Sequence, residues 1–166
     1  FLADAESKRH RKHAQLIQIK AACRSGLQES GQKKNLGTTM TDSISGFLTE
    51  DHRRCDFLLA ACERALAAGD WEAADSAVGG FREALLHHFS LEENLLFPEV
   101  EQANPAASGP TRVMRMEHAQ MRQLLDDLSA AASDRDRDTC LGVLETLRMI
   151  GQQHNSKEEG ILYPLS

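Results

Sequence analysis

Residues 71–102 read WEAADSAVGGFREALLHHFSLEENLLFPEVEQ, and the placing of their apolar side chains decides the fold. Val78, Phe81, Leu85 and Leu95 recur at the three- and four-residue steps that line one face of an α-helix. His88 and Glu92 fall on that same seam, where apolar residues belong. A helix over 71–102 follows, with Asp70 as its N-cap. Three further segments carry the same rhythm. Residues 43–68 present Leu48, His52, Cys55, Leu59, Cys62 and Leu66, and residues 110–132 present Met114, His118, Met121, Leu125, Leu128 and Ala132. Residues 137–165 present Cys140, Leu144, Leu147, Gly151, His154, Glu158, Ile161 and Leu165. Pro110 suits the first turn of the third helix, and Asp138 is the expected cap of the fourth. Pro and Gly punctuation is confined to Gly69-Asp70 and the runs 104–110 and 133–138. Short connections between four long helices predict an all-α fold, an antiparallel up-down-up-down four-helix bundle.

A chain of 166 residues with 5% aromatics suits one domain. Its 25 Asp+Glu against 19 Lys+Arg are unevenly spread. Residues 1–39 hold eight basic and three acidic residues, whereas residues 40–166 hold eleven and twenty-two. An acidic body argues against nucleic acid as the main partner, because that affinity needs clustered Lys and Arg on the folded face. The folding unit is expected to begin near Met40. Residues 1–39, with the basic cluster Lys8 to His13 and a loose helix over 8–24, read as a disordered or non-native basic extension. No apolar run reaches membrane length and no secretory signal is visible, so the expected location is cytoplasmic. Cys23, Cys55, Cys62 and Cys140 form no Cys-x-x-Cys pair and read as reduced thiols. The fourth seam is still in register at Leu165, so the chain is expected to continue beyond Ser166.

Each seam contains one histidine. A single histidine in an apolar stripe is ordinarily a hydrogen-bonded core residue, but four together change the balance. Counted from the turns, His52, His88, His118 and His154 fall at similar heights, within several ångströms at about 1.5 Å per residue. Two seams also carry a glutamate four residues after the histidine, Glu92 and Glu158. Helices that run parallel in the bundle place both about one turn, roughly 5 Å, beyond the histidine layer on the same side. Two unpaired carboxylates cannot persist in a core, so something cationic belongs between them. Imidazole and carboxylate in a closed layer suit first-row transition metals, and two such pairs with central carboxylates suit two ions. Iron leads, with manganese or zinc behind it.

From about Met40 onward the chain resembles the hemerythrin-like family, the HHE cation-binding domain. The resemblance rests on Asp51-His52-Arg53-Arg54-Cys55-Asp56, His88-Phe-Ser-Leu-Glu92-Glu93-Asn-Leu-Leu-Phe97-Pro98, Glu117-His118, and His154-Asn-Ser-Lys-Glu158-Glu159-Gly-Ile-Leu-Tyr163-Pro164. It implies a bundle holding two non-haem iron ions, oxo- or hydroxo-bridged. His52, His88, His118 and His154 would be terminal ligands, and Glu92 and Glu158 bridging carboxylates. It further implies a bacterial-type protein that binds or reduces O2, NO or peroxide, in oxidative or nitrosative stress or iron homeostasis. The alternatives are an O2 or iron sensor without turnover and a structural metal-bound bundle.

Oxygen-carrying hemerythrins have a further histidine where this chain has Arg122, and an aspartate five residues after the last histidine, where this chain has Glu159. The pattern is closer to the branch that includes bacterial iron-centre repair proteins. Those carry an N-terminal cysteine motif, whereas residues 1–39 contain Cys23 alone. Six side chains supply about eight bonds to two ions that prefer about six each, which leaves roughly four positions for a bridge, water or small ligand. Gly151, one turn before His154, supplies room for a path.

The neighbours of the six residues carry weaker expectations. His87 points about 100° away from His88 and reads as a surface or supporting residue. Glu93 and Glu159 either face solvent or anchor a ligand imidazole. Cys55 reads as a small buried hydrophobe ahead of a redox-active thiol, Tyr163 as a cap on the core ahead of a donor to a bound oxygen species, and Arg122 as a partner of Asp126 or a guard of the pocket mouth.

Overall fold

The computed structural model of the chain describes residues 44–165. The expected boundary at Met40, the basic cluster, the helix over 8–24 and Cys23 lie outside the described residues. Among the described residues there are helices and turns and no strand. The long helices are α1 (Ile44–Ala68), α2 (Trp71–Leu91), α4 (Ser108–Ser133) and α5 (Arg137–Lys157), and a short α3 (Phe97–Ala103) prolongs α2. Each long helix packs on two others, α1 on α2 and α5, and α4 on α2 and α5, which makes a four-helix bundle. None is long and apolar enough to cross a membrane.

The turns are built as the sequence suggests, with one correction. After α1, Gly69 takes φ 72°, and Asp70 N–H bonds Ala65 O while Gly69 N–H bonds Leu66 O. This is the pairing that satisfies a helix end when its last residue turns left-handed, the conformation glycine adopts most readily. Asp70 then caps α2 by accepting from Ala73 N–H at 3.0 Å. After α4 the same two bonds recur, Asp136 N–H to Ala131 O and Arg135 N–H to Ala132 O, with Arg135 at φ 58°. Asp136, not Asp138, caps α5, through Thr139 N–H at 3.1 Å. Asp138 lies inside the first turn, where its charge suits the helix dipole without closing the end.

These matched turns are 66 residues apart, and the offset runs through the bundle. Adding 66 takes Asp51 to Glu117, His52 to His118, His88 to His154, Glu92 to Glu158 and Pro98 to Pro164. The two halves are an internal repeat.

The core divides into two apolar clusters. The larger gathers Leu59, Leu66, Phe81, Leu125, Leu128 and Leu144, and the smaller gathers Leu48, Leu96, Phe97, Met114, Leu162 and Tyr163. Along each long helix and the turn that continues it, the histidine lies between a residue of one cluster and a residue of the other. The polar layer is therefore sealed above and below by hydrocarbon. Leu125 is fully buried in the larger cluster. Leu125→Ala is expected to lower unfolding free energy by about 2–5 kcal/mol, as lost transfer plus a cavity. Urea unfolding checks this, and a cost under 1 kcal/mol would mean the cluster is not a packed core.

The expected continuous helices over 71–102 and 137–165 are corrected. Each is interrupted by one wide, five-residue turn, Glu92–Leu96 and Glu158–Leu162, in which Phe97 N–H bonds Glu92 O and Tyr163 N–H bonds Glu158 O. Proline one residue further on supplies the reason. Pro98 and Pro164 have no N–H, and their rings crowd the carbonyl four residues back. Widening the turn accommodates them at the cost of one extra residue. The inserted residue slips the seam by one position. Leu96 and Leu162 are buried in place of the expected Leu95 and Ile161, with Ile161 56% exposed against 1% for Leu162. Leu165, also expected inside, is exposed.

Candidate metal centre

Both wide turns begin at the two buried glutamates, which is where such insertions commonly mark functional sites. Glu92, Glu158, His52, His88, His118 and His154 are all buried and converge between the two apolar clusters. His52, His88, Glu92 and Glu158 bring one ligand atom each to within 4.8 Å of one another, and so do Glu92, His118, His154 and Glu158. The two groups share both carboxylates. Their contacts obey the repeat. Glu158 lies 3.3 Å from His52 Nε2 and 3.3 Å from His154 Nε2. Glu92 lies 3.4 Å from His88 Nε2 and 3.2 Å from His118 Nε2. His118 Nε2 and His154 Nε2 are 3.0 Å apart.

The outer nitrogen of every imidazole is held by a carboxylate. His52 Nδ1 meets Glu159 at 2.8 Å, His88 Nδ1 meets Asp51 at 3.1 Å, His118 Nδ1 meets Glu93 at 2.8 Å and His154 Nδ1 meets Glu117 at 2.9 Å. A carboxylate accepts only, so each Nδ1 donates, and each neutral ring presents a lone pair at Nε2 to the interior. The carboxylates are anchored in turn. Arg122 donates twice to Glu93 at 2.9 Å, Arg54 donates to Asp51 at 3.2 Å, and Lys157 donates to Glu117.

Sequence reasoning left the roles of Glu93 and Glu159 open, and both anchor imidazoles. Of its two readings for Arg122, partner of Asp126 or guard of the pocket mouth, the first fails, because Asp126 pairs with Arg82 at 2.7 Å. It gave Asp51 and Glu117 no role. Their signal was the repeat, since each precedes its helix's histidine and they stand 66 residues apart.

The interior is thus lined almost wholly by acceptors. His88 Nε2, Glu92 Oε2 and Glu158 Oε1 are buried without a hydrogen-bond partner. His118 Nε2 and His154 Nε2 face each other across 3.0 Å, a gap that holds one proton at most. Such a cavity is unfavourable unless cations enter it. Protons show the same demand. Burial alone would lower His88, yet the Glu92 carboxylate and the bond to Asp51 raise it to about 10. Burial likewise opposes ionisation of Glu92, but the charge of His88 and the bond to His118 hold its carboxyl well below the usual range. His154 is raised against its burial by Glu158 and Glu117.

The spacing also fits metal ions. First-row ions bond nitrogen and oxygen at about 2.0–2.2 Å, so neighbouring donors on one ion stand roughly 3.0–3.4 Å apart. That is the range of the Nε2 contacts above. The hemerythrin HHE cation-binding domain model matches residues 43–166. The chain belongs to this family. No curated protein and no solved structure gives a match to it.

The hemerythrin-type cluster is not fully symmetric. Tyr163 takes the place that Phe97 holds in the other half, and its hydroxyl reaches the interior, 2.8 Å from Glu92 Oε1 and 3.1 Å from His52 Nε2. It packs in the smaller cluster, as a cap would, and also stands where the alternative reading, a donor, needs it. Burial, together with Glu92 and Glu158, pushes its phenol upward, so it is a protonated donor. Cys55 is buried, and burial with the charge of Asp51 pushes its thiol up to about 12, as fits a small hydrophobe. His87 is half-buried and belongs to neither four-residue group.

Proposed function

We propose that this hemerythrin-family domain holds two non-haem iron ions and uses them to bind or reduce a small ligand, O2, NO or peroxide. The carrying observation is the pair of four-residue groups that share Glu92 and Glu158. His52 and His88 would hold one ion, His118 and His154 the other, and Glu92 and Glu158, common to both groups, would serve each. The helices run antiparallel, up-down-up-down, which the short links 69–70 and 134–136 favour. Six protein ligands, with Arg122 committed to Glu93 where an oxygen carrier has a histidine, favour the more open branch that includes the iron-centre repair proteins.

An iron pair, when bound, supplies open coordination positions and two one-electron redox steps. The chain supplies the rest. Asp51, Glu93, Glu117 and Glu159 fix each imidazole with Nε2 inward and raise its basicity. Tyr163 O–H is the proton donor inside the site, within reach of Glu92 and of any ligand beside it. The two apolar clusters exclude bulk water and strengthen every charge interaction between them.

Because supporting carboxylates orient the ligands, Glu117→Gln is expected to weaken metal affinity about 10- to 100-fold while leaving two ions per chain at saturation. Competition against a chelator measures it, and an unchanged affinity would show that the Glu117 contact does no orienting. Stopped-flow mixing of the reduced iron protein with O2, NO and peroxide tests the functional reading. Turnover marks reduction, a reversible adduct without turnover marks a binding or sensing protein, and absence of any reaction refutes both.

A further inference from the structure

We infer that a small neutral diatomic ligand reaches this centre through the cavity that Gly151 leaves open on the α1–α5 face. The inference rests on the proposed centre. The cavity measures about 30 Å³ and is lined at its buried end by His52, His88 and His154. Leu59, Phe81 and Leu147 form walls, Leu85, Phe89 and Met121 from α2 and α4 line it as well, and exposed Asp56 with half-buried Arg148 and Asn155 forms the rim. A water needs roughly 10–15 Å³ of such space, so the cavity admits two or three heavy atoms and excludes an organic substrate.

The internal repeat shows why this face is open and the other closed. Applying the 66-residue offset, Gly151 corresponds to Leu85, Asn155 to Phe89 and Asp56 to Arg122. On the α2–α4 face the Phe89 ring stacks on His118, with centroids 4.1 Å apart, and Arg122 lies over Phe89 at 5.2 Å. Leu85 packs against the larger apolar cluster. Imidazole, phenyl and guanidinium thus form a continuous stopper. On the α1–α5 face the same positions hold an amide, no side chain and a short carboxylate. A Cβ placed on Gly151 meets nothing within 4 Å. One half of the repeat has kept the plug and the other lacks it.

The lining also selects the ligand. Its walls are apolar, and empty apolar cavities take up apolar gases. At the rim, Arg148 is paired with Glu63. Glu159 bonds His52 and has no arginine partner among the described residues, unlike its counterpart Glu93. Asp56 at the rim feels both Arg148 and Glu159, and with Glu63 the carboxylates around the entrance outnumber its one arginine, which disfavours anions such as nitrite and leaves neutral ligands unhindered.

Gly151→Leu, which restores what Leu85 does on the opposite face, tests this, with Gly79→Leu as an exposed control on α2. Two readouts apply. The first is xenon-induced shifts of the Leu59 and Leu147 methyl resonances in zinc-loaded protein. The second is the association rate of NO with reduced iron-loaded protein. Gly151→Leu should abolish the shifts and slow NO at least about tenfold, with metal content unchanged and Gly79→Leu behaving as wild type. If the leucine variant folds poorly, Gly151→Ala, one methyl in open space, must weaken the shifts and slow NO in the same direction. Wild-type shifts and rates in the Gly151 variants, or equal slowing by Gly79→Leu, would overturn the entrance. Metal content of the wild type reports separately on the centre, and the xenon shifts in protein as isolated report on the cavity whatever that content is.

Discussion

Replacing Glu92 and Glu158 together by glutamine is expected to reduce bound metal from two ions per chain to less than one. Glutamine keeps the volume and most of the shape of each side chain, so the bundle is spared a cavity. What disappears is two negative charges in a buried site. Unit charges about 4 Å apart at an effective dielectric of 20 interact by roughly 4 kcal/mol. Since every 1.4 kcal/mol is tenfold in affinity, each ion loses about three orders of magnitude or more. Each carboxylate also serves both four-residue groups, so neither ion retains a complete donor set. Helical content by circular dichroism should stay close to wild type. Two tightly held ions in the double variant would remove the glutamates from the centre.

The second large effect is on stability. Metal-free protein must tolerate four inward lone pairs and two carboxylates, with part of the deficit met by protons on His88 and His154. Ions that bind the folded state alone stabilise it by about 4 kcal/mol per site at free metal a thousandfold above Kd. For a domain of this size that is roughly 15 °C in Tm per site. Calorimetry with and without chelator should show a gap of that order, and superimposable transitions would contradict it.

The pH dependence follows from the signs. His88 is raised from 6.5 to about 10, so its contribution to metal-free stability is fully present below 6.5 and is lost as pH rises through about 10. Asp51 runs the other way. Burial opposes its ionisation, but the bond and charge of His88, with Arg54, hold it below 3.8. Its contribution is present above 3.8 and is lost as pH falls through its folded value. Metal must displace the His88 proton, so apparent affinity should rise between pH 6 and about 10 and binding should release protons. Affinity independent of pH in that window would exclude His88 as a ligand.

Much of this was legible in the sequence because the chemistry sits on regular helix faces. The α4 seam, Met114 to Ala132, is buried at every expected position, and so is the α1 seam. The six inward residues were visible because polar groups interrupted those seams. What periodicity missed was its own failure at two places. A fixed 3.6-residue repeat carries a seam past Glu92 and Glu158 as if nothing happened, and so buries Leu95, Ile161 and Leu165 instead of Leu96 and Leu162. Pro98 and Pro164 were the warning, each six residues after its glutamate. Asp51 and Glu117 stayed hidden for a different reason. A carboxylate beside a histidine in sequence points elsewhere on its own helix, and Asp51 and Glu117 find their imidazoles on a neighbouring one. Only the internal repeat or the assembled bundle reveals that pairing.

The centre itself is tested most directly by reconstituting the protein with 57Fe, counting iron, and recording Mössbauer spectra of the oxidised form in a strong applied field. Two irons per chain in one antiferromagnetically coupled ferric pair with a diamagnetic ground state is the predicted result. A single iron, or two magnetically independent ions, would contradict a centre in which Glu92 and Glu158 are shared.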